Sequence, residues 1–229
     1  MQGFRFAQGV YKLRGGVCGG VTKSDLSLME HISDGKRALD AGCGDGHVMR
    51  MLMDNGYDVT GVDINTAQVR SCKVVRGDCN YLPFQNGSFD MVFIINLLHH
   101  VEAPSKLLEE VSRVLKRPGT MYLSEVTENN PLLRLVRALH PYWHESEVKS
   151  RLKAKEVKTM VGKRFLRITE DGDIGTIAWL WYVIGERIMS LDTLEKHFLS
   201  KLASIADSII GKASKYRFSC QYNAVSKKR

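Results

Sequence analysis

Leu39-Asp40-Ala41-Gly42-Cys43-Gly44-Asp45-Gly46-His47 sets three glycines, alternating with other residues, where an apolar run gives way to a helical pattern. Glycine turns sharply and lets a backbone approach a ligand where a Cβ would clash. A glycine-rich turn between a strand and a helix is a nucleotide-binding device, because the helix N-terminus offers unpaired N–H groups and a partial positive charge. The dinucleotide fingerprint Gly-x-Gly-x-x-Gly fits poorly. Counted from Gly42, its sixth position is His47, and the third glycine comes one residue early at Gly46. Asp40 puts a carboxylate at the end of the strand, which suits a cationic ligand better than a pyrophosphate.

Downstream, Asp58-Val59-Thr60-Gly61-Val62-Asp63 reads as a second short strand ending in an acid, 21 positions beyond Gly42. An acid about 20 positions on is where this architecture holds ribose hydroxyls. A third run, Lys73 to Gly77, ends at Asp78. Leu82-Pro83-Phe84 and Gly87-Ser88-Phe89-Asp90 then open the strand Met91-Val92-Phe93-Ile94-Ile95. One such acid reads as a solvated strand end. Three at successive strand ends, in this order, make a specific signal.

The pattern Asp-x-Gly-x-Gly-x-Gly at residues 40–46 resembles motif I of the class I S-adenosylmethionine (SAM) methyltransferases. LPFQNGSFDMVF, from Leu82 to Phe93, resembles that family's segment before its fourth strand. The resemblance covers about residues 36–126 and points to the methyltransferase type 11, or ubiquinone/menaquinone-biosynthesis-like, group. It implies that Asp40, Gly42, Cys43, Gly44 and Gly46 bind the methionine moiety of SAM. Asp63, followed by Ile64, would hold the ribose. Asp78 and the Cys79 backbone N–H would meet the adenine, and Asn96 would line the site by backbone contact.

A chain of 229 residues bounds the answer to one sizeable domain, or one with an insertion. Apolar content of 44% and charged content of 25% are ordinary globular values, which argues against a disordered or fibrous chain. No basic segment followed by an apolar run opens the chain, so no secretion signal is expected. Cys18, Cys43, Cys72, Cys79 and Cys220 form no Cys-x-x-Cys pair and read as reduced thiols, with a cytoplasmic location as the expectation. Cys43 reads as a small space-filler, not a nucleophile. No metal site is assigned.

The spacing predicts strands at 36–41, 58–63, 73–77, 89–95 and 120–126, suited to burial in a parallel sheet. Helical spacing runs over Gly46–Asn55 and Pro104–Lys116, and Pro118-Gly119 is expected to break the chain before the fifth strand. A sixth strand is expected at 163–169 and a last one over Phe218–Ser226, which resembles the family's closing antiparallel strand. The fold class is thus α/β: a doubly wound, mostly parallel, seven-stranded Rossmann-like sheet. The resemblance implies the order 3-2-1-4-5-7-6 with the last strand antiparallel. Residues 1–35 are a lead-in segment with a helix near 22–33, and residues 36–229 the SAM-binding domain. A helical insertion occupies about 174–216.

The C-terminal half is where acceptor choice is expected to reside. Leu132, Leu135, Val136 and Leu139 fall at helical spacing, and His140 to Glu145 interrupts them before a charged helical stretch with Val148, Leu152 and Val157. Ile174 to Gly185 runs without a charge; twelve residues are too few to span a bilayer, which needs roughly 20. That run reads as core, as the lid of a pocket for a lipophilic acceptor, or as a peripheral membrane contact. The net charge of +8 raises the question of nucleic acid. The basic residues are spread and interspersed with acids, however, so a nucleic-acid partner is not favoured. Asn96-Leu97-Leu98-His99-His100 also lacks the Asn/Asp-Pro-Pro-aromatic motif typical of enzymes that methylate base nitrogens.

Methyl transfer from a sulfonium is an in-line displacement in which the protein aligns the nucleophile and removes its proton, if it has one. His99 and His100 follow strand four, beside the methyl group in this fold, and an imidazole titrates near neutrality. They are the candidate bases. Tyr11, Tyr142, Trp143 and His144 are candidates for the acceptor side. The expected function is SAM-dependent transfer of a methyl group to a small lipophilic molecule. An RNA or protein methyltransferase, a catalytically silent SAM-binding protein and a nicotinamide-dependent oxidoreductase remain as alternatives.

Overall fold

The computed structural model describes residues 37–66, 73–129, 131, 149–173 and 221–229. Seven strands form one sheet: β1 (Arg37–Ala41), β2 (Asp58–Asp63), β3 (Lys73–Arg76), β4 (Phe89–Ile95), β5 (Leu115–Val126), β6 (Phe165–Asp173) and β7 (Gln221–Lys228). Their order is β3-β2-β1-β4-β5-β7-β6, as expected. The first five pair in parallel, and β7 runs antiparallel to both β5 and β6. The chain order reverses across β1 and β4, and doubly wound sheets bind ligands at the carboxyl ends of the strands at such a point.

Three helices belong to the described residues: α1 (His47–Asp54), α2 (Pro104–Val114) and α3 (Ala154–Gly162). Alternation along the strands divides their side chains between two apolar layers. Leu39, Val92, Ile94, Met121 and Leu123 pack with Leu107, Leu108 and Val111 of α2 and with Val157 and Val161 of α3. Ala38, Met91, Phe93 and Tyr122 pack on the other side with Met49 and Leu52 of α1. The central strands are therefore buried on both faces, which is why they read as continuous apolar runs. Each Leu that α2 buries contributes about 1.5–3 kcal/mol relative to exposure.

Several boundaries differ from the sequence expectation. The Pro118-Gly119 pair does not precede β5 but lies within it, and α2 stops at Val114. Leu115 pairs with Phe89, and pairing resumes at Thr120 opposite Met91, so residues 116–119 bulge out between two paired segments. The break signal was real, but the flanking pairs restore the ladder. Strands β6 and β7 lie a few residues later than 163–169 and 218–226. The charged helix is shifted as well: α3 starts at Ala154, leaving Leu152 before the helix, partly buried against the core. The lead-in at 1–35, the helix expected over 132–139 and the insertion at 174–216 lie outside the described residues.

An ion pair that the sequence reading passed over fixes the Leu82-Pro83-Phe84 turn. Arg113 Nη2 donates to the Leu82 carbonyl at 2.8 Å and Nη1 to that of Phe84 at 2.7 Å. Glu110 takes both Nε and Nη2 of Arg113 at 2.8 Å and accepts the Leu82 N–H at 2.9 Å. The hydrogen bonds from Arg113 hold the Glu110 carboxyl below its usual range. A depressed carboxylate adds stability that is present above its unfolded value and lost as pH falls through its folded one. Gly61 on β2 answers a different constraint. A Cβ there would stand 2.5 Å from Met49 Sδ and 2.8 Å from Cys43 Sγ, so only glycine lets the turn after β1 and α1 settle on β2.

Urea denaturation near neutral pH is expected to show Arg113→Ala less stable by about 2–3 kcal/mol, the cost of losing hydrogen bonds to a charged group. That deficit narrows once pH drops below about 4; a deficit independent of pH argues against the pair. Gly61→Ala is expected to cost about 1–3 kcal/mol by overpacking, read as a lowered urea midpoint.

Candidate cofactor and methyl-transfer site

The glycine turn is fastened to the end of β2. Gly42 N–H and Cys43 N–H both donate to the Val62 carbonyl, at 2.8 and 3.1 Å. Gly44 N–H donates to Asp63 Oδ2 at 2.9 Å, and Asn65 N–H to Asp63 Oδ1 at 2.8 Å. Asp63 therefore braces the turn, and each of its oxygens keeps a further lone pair for a ligand hydroxyl. Gly42, Gly44 and Gly46 adopt φ of 73°, 52° and 76°, the left-handed region, so the alternating glycines are a backbone requirement. A Cβ on Gly42 would stand 2.6 Å from Leu97 Cδ1, whereas one on Gly44 would meet nothing within 4 Å. Gly44 thus faces open space among the described residues. Cys43 is buried against Met49, in keeping with a space-filler.

Asp40 stands at the end of β1, only 2% exposed. Among the described residues its Oδ2 is buried without a hydrogen-bond partner. Burial pushes its carboxyl up to about 7, and the charges of Asp63 and then Asp45 add to the shift. An orphaned buried acceptor is costly, and a cationic donor bound against it removes that cost.

Asp78 caps a short 3₁₀ turn, Cys79–Tyr81, by accepting the Asn80 N–H at 2.8 Å. Gly77 N–H donates to the Asp63 carbonyl at 3.0 Å, which sets this turn beside the end of β2. Burial raises the Cys79 thiol to about 12, so its thiolate plays no part near neutral pH. Ile64, by contrast, is 69% exposed directly after Asp63, an apolar surface with room for a flat ring.

After β4 the chain turns at Asn96, with φ of 51°, and Asn96 N–H donates to the Ser124 carbonyl at 2.8 Å. Leu97 then covers Gly42, which brings the following 3₁₀ turn, Leu98–His100, beside the glycine turn. His99 Nδ1 bonds the carboxylate of Glu125 on β5, and the rings of His99 and His100 lie 4.0 Å apart, centroid to centroid. Glu125, fully buried, also accepts the Leu98 N–H at 2.7 Å. The sequence reading missed it. The signal was available, since Glu125 is a fourth acid at the end of a buried strand.

Asp40, the glycines, Asp63, Ile64, Asp78, Cys79, Asn96 and the two histidines thus gather along the carboxyl edge of β1, β2, β3 and β4. Tyr11, Tyr142, Trp143 and His144 lie outside the described residues.

Residues 39–123 match the family model described as a methyltransferase domain. Among curated relatives, the sterol 4-C-methyltransferase of Caenorhabditis elegans is 32% identical over 112 residues, 43% of this chain and 34% of the relative. The ubiquinone biosynthesis O-methyltransferase of Psychrobacter arcticus is 27% identical over 126 residues, 49% of each chain. The matched part of the chain thus spans about a third to a half of these relatives' lengths. A SAM-dependent methyltransferase from Archaeoglobus fulgidus superposes with a TM-score of 0.61 at 17% identity, covering 89% of this chain and 90% of its own, a likeness of fold. Together with the order of the sheet and the glycine turn at its edge, these matches liken residues 39–123 to a methyltransferase domain, and the fold to that of a SAM-dependent methyltransferase.

Proposed function

We propose that the protein transfers a methyl group from SAM to a small lipophilic acceptor. The observation that carries this reading is the buried, unpartnered oxygen of Asp40 beside a glycine turn braced by Asp63. The cofactor carries an ammonium, ribose hydroxyls and an adenine, and the residues present suit each. Asp40 would take the ammonium, with the open face of Gly44 admitting the methionine chain. Asp63 would take the ribose hydroxyls on its remaining lone pairs, with Ile64 beside it. Asp78 and the Cys79 N–H would take the adenine, and Asn96 would line the site with its backbone. SAM supplies a methyl carbon on a sulfonium, already primed by a good leaving group. The protein's share of the chemistry is alignment, exclusion of water and removal of a proton, for which His99 and His100 are the candidates.

For the acceptor, support comes from the relatives, whose names specify a sterol and a step of ubiquinone biosynthesis, both lipophilic. No helix among the described residues is long and apolar enough to cross a membrane. Incubation with labelled SAM and cell extract split into lipid, RNA, protein and small-molecule fractions tests this choice. Label is expected in the lipid or small-molecule fraction; label confined to RNA or protein overturns it.

Calorimetry with S-adenosylhomocysteine (SAH) is expected to show binding where NAD shows none, and the converse removes the methyltransferase reading. Asp63→Ala is expected to weaken SAH by about 1–3 kcal/mol. An unchanged affinity takes Asp63 out of the ribose role.

The raised Asp40 pKa has a definite sign. Its contribution to the stability of the free protein is complete below the ordinary carboxylate range and is lost as pH rises through about 7. An ammonium favours the ionised form, so binding below that pH expels a proton. SAH affinity is expected to climb from pH 5.5 to about 7, by at most tenfold per unit, and then level off. In Asp40→Asn the curve is expected to be flat and the affinity low. A flat profile in the unaltered protein counts against the assignment of Asp40.

A further inference from the structure

We propose that Glu125 is the positioning residue that makes His99 the general base, and that the acceptor is a hydroxyl compound which must surrender a proton to be methylated. The inference rests on the methyltransferase reading above. It begins from the burial of Glu125, whose carboxylate is fully removed from solvent at the end of β5. A buried carboxylate is destabilising unless its lone pairs are met. Here Oε2 accepts the Leu98 N–H at 2.7 Å, while Oε1 accepts the Val126 N–H at 3.1 Å and also faces His99 Nδ1. Two backbone donors converge on it, the pattern suited to an ionised carboxylate, and His99 Nδ1 becomes the third when that nitrogen carries the ring proton.

The consequence for His99 is a choice of tautomer. With Nδ1–H donating to Glu125, the neutral ring carries its lone pair on Nε2, where it can take a proton. The ring is also fixed in place. Two residues before it, Leu97 lies against Gly42, and the His99 carbonyl accepts the N–H groups of Lys149 and Ser150 at 2.8 and 3.1 Å. His99 therefore stands between Leu97, which touches the cofactor turn, and the Lys149-Ser150 backbone. Its side chain keeps 14% of its surface open to solvent, enough for a ligand to reach one edge.

This arrangement selects among acceptors by chemistry. An amine or a thioether attacks through a lone pair it already has, and needs no base. An alcohol or phenol is a weak nucleophile until its proton leaves, and a placed base is worth about 10²–10⁴-fold in rate. The hydroxyl proton ends on His99 Nε2 as the oxygen bonds to the methyl carbon and the carbon–sulfur electron pair stays on sulfur. The positive charge that sulfur loses is the one the imidazole gains, and the buried Glu125 carboxylate stabilises it there.

The test uses the full chain labelled with ¹⁵N-histidine and saturated with SAH, with His99 assigned through His99→Gln. Long-range ¹H–¹⁵N spectra above neutral pH are expected to show His99 chiefly as the Nδ1–H tautomer. Glu125→Gln is expected to lose that preference while binding SAH within about threefold of the unaltered protein. In the extract fraction that accepts labelled methyl, Glu125→Gln and His99→Gln are each expected to slow transfer by about 100-fold or more. An Nε2–H tautomer in the unaltered protein, or full-rate transfer by either variant, overturns the proposal. Where Glu125→Gln does not fold, the tautomer of the unaltered protein and the rate of His99→Gln decide. Failure of the unaltered protein to bind SAH overturns the methyltransferase reading and this proposal with it. SAH binding combined with the Nε2–H tautomer overturns this proposal alone.

Discussion

Two backbone N–H groups, those of Gly42 and Cys43, converge on the single carbonyl of Val62, and the Asp63 carboxylate takes the N–H of Gly44. This fastening of the glycine turn to the end of β2 is the constraint on which the site depends. It fixes where the first strand ends and where α1 begins. It also explains Gly61, which removes the side chain that would hold the turn off β2. The carboxylate that braces the turn takes one backbone donor on each oxygen and keeps further lone pairs unused by those bonds. Asp63 also lies near enough to the buried Asp40 to add to the upward shift that burial gives the Asp40 carboxyl.

On the other side of the switch point, a second carboxylate organises the segment after β4. Glu125 gathers the Leu98 N–H, the Val126 N–H and His99 Nδ1. Asn96 N–H meets the Ser124 carbonyl just before it. Residues 96–100, which have little regular structure of their own, thereby acquire a defined path along the end of β5, with Leu97 closing the space against Gly42. Two buried acids thus serve opposite ends. Asp40 has an oxygen without a partner among the described residues, while Glu125 is satisfied from within and lends order to an imidazole.

The sheet was largely legible because central parallel strands are buried on both faces, and apolar runs between turn residues have few other homes. Acids at the ends of β1, β2 and the run to Asp78 were legible for the same reason, standing out against apolar neighbours. Glu125 obeyed the same rule but was passed over, because its meaning lies in a partner 26 residues away. The Pro118-Gly119 break was misplaced because local sequence registers that the ladder is interrupted without showing that Phe89 and Leu115 pair on the far side of the interruption.

By itself the sequence determined the strand–turn–helix order, the alternating glycines and the row of strand-end acids, since each depends on local backbone sterics or on the period of burial. Only the tertiary structure decided which of those groups are satisfied. It left one oxygen of Asp40 without a partner among the described residues, gave Asp63 two backbone donors, and turned His99 toward a buried carboxylate. Hydrogen-bond satisfaction is set by which strands lie side by side, and here that follows from the crossing of the chain between β1 and β4, which no local pattern encodes.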